Sequence, residues 1–197
     1  MWTMTEPAPI RDHALNNLRY IREAMERASA FTSIPGWGGV AVGVTAIVAA
    51  VLAGNAGLSR QWLLIWLGEA ILAALIAGAT MYFKASRSNV SFRGTPARRF
   101  FISYFAPIVA AAVLTFFLAK QGLLAPLPAT WLLLYGASFV SSGAYSIPVV
   151  PVMGVCFMLL GIAACFVPFP IANALLGAGF GGLHIMFGWT IARNHGG

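Results

Sequence analysis

Three side chains able to do chemistry lie within long apolar runs of this 197-residue chain: Glu69, Asn173 and His184. A charged group at the centre of a bilayer costs about 2.5–3.5 kcal/mol on insertion scales, so Glu69 must face other protein, meet water or carry a proton. It sits roughly 10 Å into its run, counted from Trp62 at 1.5 Å per residue. On its helical face lie Trp62, Ile65, Trp66, Ala73, Ile76 and Thr80. Two readings follow: a proton or cation site, or a hydrogen-bonded packing residue.

The last apolar run is the most patterned. With Asn173 as origin, Gly177, His184, Gly181 and Gly188 fall within about 80° of it at uniform α-helical spacing. Gly177 and Gly181 also satisfy the small-xxx-small rule for close helix approach. The stripe predicts tight packing on a neighbour, with Asn173 and His184 as interhelical hydrogen bonds worth about 0.6–2 kcal/mol each. The other reading makes His184 a titrating group on a pathway. Glu69 and His184 differ in depth by about 9 Å, so direct contact between them is not expected.

Enzymatic constellations are missing from the sequence. There is no His-Glu-x-x-His, no paired aspartate, no Gly-x-Ser-x-Gly and no cluster of metal ligands. Ser141 and Ser142 lie beside Gly143 without an assignable base. The expectation is therefore a protein with no catalytic residues, no metal and no cofactor.

Composition decides the class. Apolar residues make up 59% of the chain and charged residues 9%, and mean hydropathy is +0.82. A soluble domain carries about 45–50% apolar and about 25% charged residues. One core of this size cannot hide such a surplus, and a bilayer removes the need. The fold expected is an all-α integral membrane protein. The net charge of +7 does not point to nucleic acid, because the basic residues gather in the N-terminal segment, a central loop and Arg193. Cys156 and Cys165 fall on opposite faces of one helix, which excludes a disulfide between them.

The elements that must position these groups follow in order. Residues 1–9 lack the basic region of a secretory signal. Residues 10–31 read as an amphipathic helix on the cytoplasmic face, packed on the protein rather than sunk in lipid, and residues 1–36 form a tail. Domain 37–197 then carries six apolar spans, at about 37–58, 62–83, 100–119, 124–140, 149–167 and 171–192. Short turns join them as three antiparallel hairpins. With the N-terminus inside, ten basic residues fall on the cytoplasmic side: Arg11, Arg19, Arg22, Arg27, Lys84, Arg87, Arg93, Arg98, Arg99 and Arg193. Only Arg60 and Lys120 fall outside. That asymmetry predicts an N-in/C-in topology. The segment Lys84–Arg99, with Arg87, Arg93, Arg98 and Arg99, would offer a surface for anionic lipid or an acidic partner.

One cytoplasmic connection, Ser141–Pro151, carries no charge. It reads either as a tight covered turn, with span four running on to Ser146 and helix 10–31 as its cover, or as a broken helix lining a cavity. The glycine-spaced last hairpin, from Gly154 through Pro168 to Gly188, resembles in style small six-span inner-membrane proteins of bacteria. That resemblance implies a multi-pass inner-membrane location and assigns no residue a role. The first functional expectation is a non-enzymatic accessory or scaffold subunit, with the lipid bilayer and a membrane-protein partner or second copy as its contacts. The alternative is a small transporter or channel for a proton, an ion or a small apolar solute, using Glu69 and His184.

Overall fold

In the computed structural model the described residues are 17, 18, 20, 21 and 25 and the stretches 31–87 and 94–194. The chain divides into two compact units, 1–30 and 31–197. In the first, the five described residues are helical and exposed. The other residues of the amphipathic helix expected over 10–31 lie outside the described residues, except Phe31, which is buried and bridges to Ser146 instead of being helical. Arg93 also lies outside the described residues.

The second unit is built from six helices, with no strand among the described residues. Helix α1 spans Gly36–Ala56 and ends at Gly57, whose φ of +60° only glycine adopts without strain. Its Gly- and Val-rich sequence is a weak helix former in water. A bilayer would impose the helix on such a segment, since each peptide group there must find its partner within the segment. Helix α2 spans Arg60–Arg87, with the Ser59 hydroxyl oxygen accepting the Trp62 N–H at 3.2 Å. Helix α3 spans Thr95–Lys120, opened by Pro96 in its first turn and carrying Pro107 inside. Helices α4 (Leu127–Gly143) and α5 (Val149–Ala164) follow, entered through Pro126 and Pro148. Helix α6 runs from Phe169 to Asn194, and its middle, Gly177–Leu183, is wound as a π-helix.

Four of these, α1, α2, α3 and α6, are long and apolar enough to cross a membrane. Helices α4 and α5 have 17 and 16 residues, or about 25 Å at 1.5 Å per residue, against a hydrocarbon thickness of about 30 Å. The basic segment 84–99 is shorter as a connection than the sequence suggests. Nothing in Lys84–Arg87 breaks a helix, so α2 absorbs them, and Pro96 starts α3 early enough to take in Arg98 and Arg99.

Two glycine seams hold the bundle together. On α1, Gly36, Gly39 and Gly43 lie against Ala192, Gly188 and Gly181 of α6, and Gly177 lies against Ala50. On α4, Gly136 and Gly143 face Gly154 and Pro151 of α5, while Gly161 faces Leu133. Helix α1 also packs on α2, α3 packs on α4, and α6 lies against α4 and α5. Helices α2 and α3 follow one another in sequence yet do not pack side by side.

The uncharged connection is a tight covered turn. Helix α4 stops at Gly143, sooner than the Ser146 expected, because residues 144–148 turn into α5 at Pro148. Its cover is the strip just before α1. Phe31 donates its N–H to the Tyr145 carbonyl at 2.7 Å and accepts from the Ser146 hydroxyl at 2.8 Å. The Phe31 ring packs on Phe100 and Phe101 at 5.0 and 5.4 Å, and the Lys84 ammonium donates to the Ile34 carbonyl at 2.9 Å.

The seams yield a prediction. A Cβ on Gly43 would lie 2.6 Å from the Gly181 carbonyl oxygen, a backbone atom that cannot swing aside, whereas one on Gly68 meets nothing within 4 Å. Gly43→Ala is expected to destabilise by about 1–3 kcal/mol, the usual effect of overpacking. Gly68→Ala should be neutral or stabilise by up to about 1 kcal/mol. Thermal unfolding in mild detergent separates the two.

Candidate functional site

The two groups that sequence reasoning set apart in depth, Glu69 and His184, line one slot. Its volume is about 490 Å³, and its walls come from all six helices and the Ile34–Pro35 strip. Alanines 70, 73, 74 and 77 of α2 form one long wall, and Phe101, Tyr104, Phe105, Ile108 and Ala112 of α3 form the facing one. Because α2 and α3 are not packed together, the slot is open along that side.

Glu69 is 8% exposed and turns toward α1. The Thr45 hydroxyl lies 2.8 Å from its Oε1 and 2.9 Å from the Val42 carbonyl. A hydroxyl has one proton, so it serves one of these acceptors at a time. When Thr45 donates to Glu69, one carboxylate oxygen gains a hydrogen bond; when it donates to Val42, its oxygen is free to accept from a carboxylic acid. This pairing therefore accommodates either protonation state without moving a heavy atom.

His184 is 6% exposed and occupies a cage of aromatic rings. Its Nε2 lies 2.8 Å from the Tyr135 hydroxyl, and the rings of Phe157, Phe180 and Phe139 surround it at 5.4, 6.2 and 6.5 Å. Its Nδ1 is buried without a well-formed hydrogen bond; the Gly179 and Phe180 carbonyls are its neighbouring acceptors. The Tyr104 hydroxyl lies beside that of Tyr135, which gives a run of polar atoms from α3 through α4 to α6.

Asn173 does something else. Its side-chain oxygen accepts the indole N–H of Trp62 at 2.8 Å and of Trp66 at 3.1 Å, and its amide donates to the Ala50 carbonyl at 3.2 Å. Two N–H donors on one atom fix that atom as the oxygen. Asn173 therefore ties α1, α2 and α6 together and does not line the slot. Trp62 stacks on Trp131 at 5.3 Å, and the Trp131 indole donates to the Thr115 hydroxyl at 2.7 Å.

The glycines and the histidine of α6 serve different neighbours. Gly177, Gly181 and Gly188 lie along α1, while His184 meets α4 and α5. The His184 backbone stays in the seam, its carbonyl lying against Gly39 of α1, and only its side chain leaves toward α4 and α5. Arg87, Arg98 and Arg99 are exposed at the end of the bundle that also holds Lys84 and Arg193. Among the described residues no three of His, Cys, Asp and Glu gather as a metal site. Sequence reasoning missed Thr45, Tyr104, Thr115 and Tyr135. Tyr135 carried a usable signal: it sits mid-run, away from the membrane interface where tyrosine concentrates.

No family model, curated protein or solved structure matches this chain. The site therefore stands on its geometry.

Asn173→Leu is expected to strand two buried indole N–H groups and to lower stability by about 2 kcal/mol, judged from intramembrane hydrogen bonds of about 0.6–1.7 kcal/mol each. Melting in detergent, with tryptophan emission followed in parallel, checks it; unchanged melting would show that Asn173 is not the clasp described.

Proposed function

We propose that this chain is a multi-pass membrane protein that takes up a small apolar solute in the slot between α2 and α3. In this reading all six helices cross the bilayer and both ends of the six-helix unit face the cytoplasm. Charge supports that orientation: Lys84, Arg87, Arg98, Arg99 and Arg193 lie at one end of the bundle, and Arg60 and Lys120 at the other. The exposed arginines at the first end would attract anionic lipid at about 1 kcal/mol each, in keeping with a bacterial inner-membrane setting.

The observation that carries the functional reading is the slot itself. Its volume of about 490 Å³ is room left unfilled by side chains, bounded by alanines of α2 and aromatic rings of α3 and open on one side. A permeating ion fits it poorly. Stripping an ion of water costs tens of kcal/mol, and a hard cation needs several oxygen ligands; the wall offers one carboxyl group, already engaged by Thr45. Apolar matter fits the alanine and phenylalanine walls without such a debt. Of the two functions expected from sequence, the accessory subunit and the small transporter, the slot favours the second, with the solute apolar.

Native mass spectrometry of the full chain, extracted from its own membrane in mild detergent, tests this. One equivalent of a non-phospholipid apolar molecule should be retained, and Ala73→Phe/Ala77→Phe, which fills the slot from the α2 wall, should lose it. An empty wild type, or retention untouched by the double variant, would sink the reading.

A further inference from the structure

The slot is long and thin. Its lining runs from Trp66 to Met81 on α2 and from Phe100 to Thr115 on α3. Each stretch covers roughly 22 Å at 1.5 Å per residue. A volume of 490 Å³ drawn out over that length suits an extended chain and not a compact ring system. The opening is lateral, along the unpacked α2–α3 side, so an occupant enters from lipid without passing through water.

Recognition then needs more than apolar contact. A chain leaving lipid for an apolar slot gains no hydrophobic free energy, because both surroundings are apolar. Polar groups on the wall must supply the preference. The run Tyr104–Tyr135–His184 is uncharged in its ordinary neutral form and lies partway along the slot, opposite the α2 alanines. Because His184 Nδ1 faces the Gly179 and Phe180 carbonyls, that nitrogen carries the imidazole proton and Nε2 accepts from Tyr135. The one Tyr135 proton is thereby committed, so the neighbouring Tyr104 hydroxyl donates to the Tyr135 oxygen. The Tyr104 oxygen is left to accept from a ligand hydroxyl.

Resting on the solute-binding reading, we propose that the occupant is a single-chain amphiphile with an uncharged hydroxyl head. The head meets Tyr104, and the chain lies along Ala70, Ala73 and Ala77.

The experiment uses the full chain in mild detergent, titrated with hexadecanol and with hexadecane and read by native mass spectrometry. Hexadecanol should bind about tenfold more tightly than hexadecane. Tyr104→Phe should erase that preference while leaving hexadecane binding unchanged, a split that a merely structural role for Tyr104 would not produce. Ala77→Phe should abolish both, and Leu75→Phe, on the exposed face of α2, neither. Equal binding of the two probes, or a preference that survives Tyr104→Phe, overturns the head-group assignment. If the molecule retained from the native membrane proves compact and neither chain binds, the solute-binding reading stands and the chain-shaped occupant falls. Phospholipid bound in proportion to its abundance and indifferent to Ala77→Phe overturns both.

Discussion

Close backbone approach at the two glycine seams is the constraint on which this architecture depends. Helices in lipid would gain nothing from hydrophobic burial against one another, and contact at short range would have to hold them. The α1–α6 seam and the α4–α5 seam place backbone against backbone, with no side chain between Gly43 and Gly181 or between Gly136 and Gly154. Helix α2 then attaches to α1, α3 attaches to α4, and α6 joins the two groups. Nothing comparable closes α2 onto α3: a Cβ on Gly68 or Gly78 would meet nothing within 4 Å. The slot is the space left by two tight seams and one absent one.

Buried polar groups lock that arrangement because leaving them unpaired is costly. The indole N–H groups of Trp62 and Trp66 share Asn173, and that of Trp131 finds Thr115. These bonds lie at the end of the bundle holding Arg60 and Lys120, while Phe31, Lys84 and the 144–148 turn close the other. The slot lies between two ends that are each fixed by directional bonds, so its length is set by the fold.

Much of this was legible in the sequence, for reasons that can be named. The apolar excess and the runs of about 20 residues gave the helical class, and proline at 126, 148 and 168 marked where helices start. The glycine spacing announced a close neighbour without naming it. Asn173 was expected to make an interhelical hydrogen bond, but its partners, Trp62 and Trp66, were hidden because they lie more than a hundred residues away. Likewise the slot could not be read, since it results from two helices failing to meet, and periodicity records only which faces are apolar. The π-turn left no trace either, since a glycine-rich apolar run is equally compatible with a uniform 100° per residue.

Helix α6 serves packing and chemistry on two sides at once. It presents Gly177, Gly181 and Gly188 to α1, and the His184 carbonyl lies against Gly39 in that same seam, while the imidazole turns toward α4 and α5. On the opposite side Gly179 lets Leu132 of α4 and Phe157 of α5 close on its backbone. A side chain at Gly179 would collide with both, and Phe157 is one of the rings that cage His184. Close approach to α1 and close approach to α4 and α5 are therefore needed together, and the polar run on the slot wall depends on the second as the bundle depends on the first.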